Sequence, residues 1–172
     1  MAHTRLVVIG AAGPIGRAVA RLGIAYGADV IGIDRAGPPG TGEPWEVGVH
    51  WETTDGSRGG EWLAEATAVV VAAPIDLPSL LDALQPAAPT RVVVVAEPSA
   101  QFAAATTDRL VLATPHEVVD TPLDPEVPTA DARSIHVERL GMALLRAALD
   151  DDIPATLDHD ALCELGDAMF WQ

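Results

Sequence analysis

Three glycines at three-residue intervals are the first candidates for chemistry in this sequence. Gly10, Gly13 and Gly16 lie in the segment IGAAGPIGRA, between a short apolar run and a stretch with helical periodicity. At such a strand-to-helix junction the first glycine permits a tight turn, the second lets backbone approach a pyrophosphate, and the third lets the helix pack against the strand. Pro14 and Ile15 fall in the first helical turn, where a proline costs no hydrogen bond. The spacing therefore predicts a dinucleotide held at a helix N-terminus.

An acidic residue follows at the distance that this interpretation requires. Asp34 lies 18 residues after Gly16, at the end of a second apolar run, where a carboxylate can accept hydrogen bonds from both ribose hydroxyls. A carboxylate repels a 2′-phosphate, so Asp34 favours NAD over NADP. Arg35 favours NADP instead, because a guanidinium at this place can bind the 2′-phosphate. The alternative is that the glycines only close a tight turn in a sheet without a ligand.

Apolar runs alternate with helical stretches along most of the chain, and this alternation predicts the elements that position the glycines. The predicted strands are Leu6–Ile9, Val30–Ile33, Val47–Trp51, Val69–Ala73, Val92–Val95 and Leu110–Leu112. The predicted helices are Pro14–Tyr26, Glu61–Ala66, Leu77–Leu84, Gln101–Thr107, Ser134–Leu149 and His159–Trp171, with a proline-rich loop over 114–133. Continuous runs such as AVVVAAP are typical of strands covered on both faces. We expect a doubly wound, mostly parallel α/β sheet of the Rossmann type with C-terminal helices.

Composition limits the classes of function. The chain has 172 residues, with 25 acidic against 10 basic side chains and a net charge of −15, which disfavours nucleic acid and anionic membranes as partners. It has no apolar run near the ~20 residues of a membrane helix. The single cysteine, Cys163, fits a reducing cytoplasm, and no Cys or His pair has the spacing of a metal site.

The basic residues are all arginines, so every mechanism that needs a catalytic lysine is excluded. This bears on short-chain reductases, whose glycine spacing is similar. Their chemistry uses a tyrosine acid assisted by a lysine, whereas this chain has one tyrosine, Tyr26, inside the first predicted helix. We therefore exclude that class as an active enzyme.

Several later segments resemble the prephenate and arogenate dehydrogenase family. They are EATAVVVAAPIDLPSLLDALQP, RVVVVAEPSAQ, DRLVLATPHEVV and ERLGMALLRAALDDDIPATLDHDALCELGDAMFW. In that family the fourth strand ends in a proline–isoleucine pair, so the resemblance places Ala73 and Pro74 in the cofactor site. It also places Ser99 at the serine that hydrogen-bonds the reacting group. The last segment matches the final Rossmann helix and the start of the family's all-helical second domain.

The resemblance implies an oxidative decarboxylation with NAD, or with NADP as the alternative. A family histidine takes the hydroxyl proton, but Thr114 stands at its position, and threonine is no general base near neutral pH. His116 lies two residues further on and is the candidate replacement, the alternative being an exposed loop histidine beside Glu117. Ser99 has a second interpretation as a helix N-cap, and His159 is either a helix-start residue or a vestige of an interdomain contact.

The chain is expected to comprise a dinucleotide-binding domain over 1–150 and a helical extension over 151–172. The end of the extension is apolar, at Met169, Phe170 and Trp171, which predicts a homodimer or a partner chain bound through the C-terminal helices. Two functions remain open at this point. The first is an NAD-dependent dehydrogenase acting on a cyclohexadienyl or related small acid, and the second is a repurposed relative with a non-redox or protein-binding role.

Overall fold

The computed structural model describes residues 4–54, 60–84, 91–96, 109–124 and 128–167. Its centre is a seven-stranded sheet, whose strands are β1 Arg5–Ile9, β2 Asp29–Ile33, β3 Val49–Glu52, β4 Ala68–Val71, β5 Arg91–Val95, β6 Leu110–Ala113 and β9 Thr156–Leu157. They lie in the order β3-β2-β1-β4-β5-β6-β9, and all of them run parallel. The expected doubly wound, Rossmann-like sheet is confirmed.

Helices cover both faces of this sheet. They are α1 Pro14–Tyr26, α2 Gly60–Ala64, α3 Leu77–Leu84, α4 Val137–Leu149 and α5 His159–Asp167. Helix α1 packs along α4, and α4 along α5, on one face, whereas α2 and α3 lie on the other. Successive residues of a strand point to opposite faces, so Val8 joins the core beneath α4, and Val7 and Ile9 join the core with Leu63 and Leu80. Burial on both faces explains the continuous apolar runs in the sequence.

The segment expected as a loop over 114–133 contains a short strand. β7 (Glu117–Val119) pairs in parallel with β8 (Ser134–His136), so the prediction was wrong over these residues. The pairing partner of β7 lies beyond the prolines of the segment, and a non-local pairing leaves no periodic signal in so short a run.

Two elements begin later in the chain than predicted. The helix expected from Ser134 begins at Val137, because His136 has extended backbone (φ −68°, ψ 142°) and its side chain caps the helix by accepting from the Glu138 N–H. The strand expected from Val47 begins at Val49, since Pro44–Gly48 form a 3₁₀ helix. The predicted helix over 101–107 and the end of the last helix lie outside the described residues.

The described part of the predicted extension is tied to the sheet and to α4. β9 pairs with β6, and α5 packs on α4. Arg139 of α4 is buried and donates from two guanidinium nitrogens to the Cys163 carbonyl of α5, at 3.0 and 2.8 Å, while it also forms an ion pair with Asp167. Within the described ranges, no helix combines the length and apolar character that crossing a bilayer requires.

Candidate functional site

The glycine loop joins β1 to α1 at the carboxyl edge of the sheet. Gly10 has a φ of +79°, which favours glycine, and its N–H donates to the Ile33 carbonyl of β2 at 2.8 Å. A Cβ at Gly10 would lie 2.6 Å from the Ala73 Cβ. A Cβ at Gly16 would overlap the Gly10 carbonyl group, 2.7 Å from its carbon. The protein's own packing therefore requires a glycine at both ends of the loop.

Gly13 is different, because nothing in the described part of the protein requires it to be a glycine. Its backbone is extended (φ −74°, ψ 166°), a conformation open to any residue, and a Cβ there would meet only the Gly10 carbonyl oxygen, at an ordinary 3.5 Å. Gly13 is the N-cap of α1 and has no side chain to occupy the first N–H groups of the helix. An uncapped helix N-terminus of this kind can bind a pyrophosphate, so the residues present fit a dinucleotide.

Asp34 holds the glycine loop from the end of β2. One carboxylate oxygen accepts from the Ala12 N–H of the loop at 3.1 Å, and the other accepts from the Ala36 N–H at 3.0 Å. Each oxygen keeps a further lone pair for a ribose hydroxyl. Asp34 therefore shapes the loop as well as facing the predicted adenosine site.

A cavity of about 260 Å³ lies beside this loop. It is lined by Ile9, Gly10, Ile33, Asp34, Arg35, Thr54, Ala73 and Pro74. The structure thus brings together the predicted residues Asp34, Arg35, Ala73 and Pro74. Thr54 also lines this cavity but was not predicted from the sequence. Its position two residues after the end of a parallel strand could have indicated it. The side chain of Ile15 is partly buried and packs against the core.

Thr114 has a structural contact at the end of β6. Its backbone N–H and its hydroxyl both donate to the Leu157 carbonyl, at 2.9 and 3.3 Å. These bonds attach β9 to the main sheet. Ser99, the other predicted hydroxyl, lies outside the described residues.

His116 is exposed at the same edge of the sheet, but its imidazole is held in place. Its Nδ1 lies 3.3 Å from the Ala132 carbonyl oxygen, and its backbone N–H donates to Nδ1 of His159 at 3.2 Å. A carbonyl oxygen can only accept, so the network assigns the proton to Nδ1 of His116 and leaves the lone pair on Nε2. This is the tautomer of an imidazole that can accept a proton at Nε2.

His159 is the buried partner of His116, with 2% of its surface exposed. The two rings are stacked, with centroids 4.4 Å apart and planes 3° from parallel. The Nε2–H of His159 donates to the Asp131 carbonyl at 2.7 Å. The sequence reasoning missed the pairing, because 43 residues separate the two histidines and no local pattern links them.

Cys163 lies beside His159 but does not form a nucleophile–base pair with it. Its sulfur is 3.6 Å from Nε2 of His159, and that nitrogen already donates to a backbone carbonyl. Burial raises the pKa of the Cys163 thiol, which keeps it protonated near neutral pH.

The glycine loop follows β1 and His116 follows β6, so both lie at the carboxyl edge of the sheet. β4 and β5 separate β1 from β6. Neighbouring strands lie about 4.8 Å apart, so the two groups are separated by about 14 Å across the sheet. Ligands of open α/β sheets bind along this carboxyl edge.

Replacing Gly16 with alanine is expected to lower the free energy of unfolding by about 2 kcal/mol, because the new methyl group overlaps the Gly10 carbonyl. Urea denaturation followed by circular dichroism measures the change. Gly13→Ala is the matched control, since its methyl group makes only an ordinary van der Waals contact with the Gly10 carbonyl oxygen, and it should cost less than about 1 kcal/mol. Equal costs for the two variants would contradict this account of the loop.

The same fold is found in several solved enzymes. An NAD-dependent NDP-hexosamine 5,6-dehydratase involved in tunicamycin biosynthesis matches with a TM-score of 0.67 and 14% identity, over 90% of this chain and 75% of that one. The yeast methylglyoxal/isovaleraldehyde reductase Gre2, solved with NADPH, matches with a TM-score of 0.63 and 16% identity, over 90% of this chain and 75% of that one. A UDP-glucose-4-epimerase from Stenotrophomonas maltophila, solved with NAD, matches with a TM-score of 0.63 and 16% identity, over 91% and 77% of the two chains.

No family model matches this chain. None of the three structures above is a prephenate dehydrogenase, so they do not support that resemblance specifically. At these identities the likeness establishes the architecture rather than the chemistry. The chain thus has the Rossmann-like fold of enzymes that bind NAD or NADPH.

Proposed function

We propose that this protein is an NAD(P)-dependent enzyme of the oxidoreductase type that acts on a small-molecule substrate. The observation that carries the proposal is Gly13, where a glycine is needed by neither the backbone nor the packing of the described residues. The N-terminus of α1 would hold the pyrophosphate there, and Asp34 would hold the adenosine ribose. A bound nicotinamide supplies a two-electron acceptor for a hydride from the substrate carbon.

In this proposal His116 accepts the proton that leaves the substrate hydroxyl. The proton goes to Nε2, and the Nδ1–H stays on the Ala132 carbonyl, so the ring becomes an imidazolium without turning. Oxidation of the hydroxyl to a carbonyl is then balanced by one hydride and one proton. Tyr26 cannot take this role, because it lies twelve residues along α1 from Pro14, about 18 Å from the glycine loop.

The resemblance to prephenate and arogenate dehydrogenases names a cyclohexadienyl acid as the first substrate to test. The solved dehydratase and epimerase favour a wider choice, since both are NAD-dependent or NAD-bound without being named as dehydrogenases. A homodimer or a partner chain bound through the C-terminal helices completes the proposal.

A repurposed protein without redox activity is the second candidate. The observation that favours it is the Thr114 hydroxyl, which stands at the family's histidine position and is bonded to the Leu157 carbonyl. This candidate predicts that neither cofactor binds, or that cofactor binds without turnover.

Titration with NADH and NADPH tests the proposal, with quenching of the four tryptophans as the signal. We expect saturable binding, and tighter binding of NADH by about tenfold, a difference of about 1.4 kcal/mol, because the Asp34 carboxylate repels a 2′-phosphate. Asp34→Asn should remove most of this preference. Tighter binding of NADPH would instead indicate that Arg35 binds the 2′-phosphate. If neither cofactor bound at millimolar concentration, the proposal would be refuted.

A further inference from the structure

His116 and His159 are joined by two separate contacts. Their rings are stacked at 4.4 Å, and the His116 N–H donates to Nδ1 of His159 at 3.2 Å. The first contact fixes the plane of the exposed ring, and the second fixes the backbone from which it projects. An exposed histidine side chain is otherwise free to rotate, so these contacts restrict the direction of Nε2.

His159 is itself fixed from its other side. Its Nε2–H donates to the Asp131 carbonyl, and the Asp131 carboxylate accepts from the N–H groups of Arg133 and Ser134, at 2.7 and 2.8 Å. These hydrogen bonds hold the pKa of the Asp131 carboxyl below its usual value, so it stays ionised and keeps the turn closed. The closed turn sets the position of the Ala132 carbonyl, which is the acceptor for the exposed histidine.

The hydrogen bonds also determine the state of the buried ring. Nδ1 of His159 faces a donor, the His116 N–H, and Nε2 faces an acceptor, the Asp131 carbonyl. Only the neutral ring with its proton on Nε2 satisfies both neighbours, because a protonated ring would point a second donor at the His116 N–H. The ring is therefore poorly suited to accept a proton itself and is suited to hold its neighbour.

We propose that His159 is a positioning residue for His116. It keeps the neutral His116 ring in the tautomer with the proton on Nδ1 and directs Nε2 away from the protein. The inference rests on the proposed function, in which Nε2 of His116 receives the substrate proton. It adds a residue that touches neither substrate nor cofactor and acts only through the ring stacked on it.

Nitrogen-15 NMR of the imidazoles in the free protein tests this assignment, at a pH above the range in which histidines titrate. In the wild type, His116 should favour the Nδ1–H tautomer, and His159 the Nε2–H tautomer. His159→Phe keeps a stacking ring but removes both hydrogen bonds. It should shift the tautomer ratio of His116 about fivefold toward the Nε2–H form, the factor expected from one net hydrogen bond.

Cys163→Ala is the matched control, because Cys163 touches His159 and takes no part in the bonds that reach His116. Its tautomer ratio should equal that of the wild type. If His159→Phe does not fold, His159→Asn replaces it, since Oδ1 of asparagine can still accept the His116 N–H, and it should give a smaller shift. An unchanged ratio in the His159 variant that folds, or no tautomer preference in the wild type, would overturn the proposal. The measurement needs no cofactor, so its failure is distinct from a failure to bind NADH or NADPH.

Discussion

Gly13→Val is expected to weaken NADH binding at least about 100-fold while the protein stays folded. The valine side chain would add bulk at the N-cap of α1, where a Cβ meets only the Gly10 carbonyl oxygen at 3.5 Å, and would exclude the pyrophosphate from the helix N–H groups. Each hydrogen bond to a charged group contributes about 1.5–3 kcal/mol, so the loss of two accounts for the factor. Tryptophan quenching by NADH measures the affinity, and near-ultraviolet circular dichroism measures the fold.

A loss of NADH binding is informative only if the variant keeps its structure. The backbone at Gly13 is extended, so valine fits without strain, and the expected stability cost is that of a poorer N-cap, about 1 kcal/mol. Gly27→Ala serves as a control at the far end of α1, where φ is +89° and the space is open. It should lower stability and leave the affinity for NADH unchanged. NADH binding by Gly13→Val at wild-type affinity would place the cofactor elsewhere or exclude it.

The sequence predicted the features that depend on local patterns. The glycine spacing, the strand that follows α1 and the acidic residue at its end lie within one short stretch, and each has a direct physical cause. The glycines at the two ends of the loop are required by packing, whereas the packing of the described residues does not require a glycine at Gly13. The packing at Gly10 and Gly16 follows from the sequence because a β-α-β unit closes on itself through neighbouring residues, whereas the role of Gly13 in cofactor binding stays a prediction.

Long-range contacts were not predictable in the same way. The pairing of β7 with β8 and the stacking of His116 on His159 join residues that are far apart in the chain. His136 was expected inside a helix and is its N-cap, because a histidine ring can accept the Glu138 N–H as a carboxylate would. Such contacts depend on which segments meet in three dimensions, and composition and periodicity do not encode that.

The fold that this chain shares with the solved reductase and epimerase does not supply the catalytic pair of a short-chain reductase. The dehydratase, reductase and epimerase share the architecture with this chain, and architecture does not determine the catalytic groups. The absence of lysine is a property of the whole sequence and removes the tyrosine–lysine pair whatever the fold. The proposed oxidoreductase, which would lack that pair, needs another group to move the proton. The held tautomer of His116 makes it the candidate.

His116→Gln is expected to lower the rate of hydride transfer about 10²–10⁴-fold, the usual contribution of a positioned general base. Glutamine keeps a polar side chain of similar length but cannot take a proton. The rate is measured as NADH formation, with prephenate and arogenate as the first substrates because of the family resemblance. NADH affinity should stay within about twofold of the wild type, since His116 lies about three strand spacings from the glycine loop.

Tyr26→Phe is the control that separates this mechanism from a tyrosine acid. Tyr26 is 58% exposed at the end of α1 away from the loop, so removal of its hydroxyl should leave the rate unchanged. A full rate in His116→Gln would show that the proton leaves by another route, with Ser99 as the next residue to replace. Tyr26 lies about 18 Å along α1 from the glycine loop of its own chain. A loss of rate in Tyr26→Phe would therefore require that the tyrosine of a second copy reaches the site. The two variants together therefore distinguish a base in the loop after β6 from a base supplied in trans.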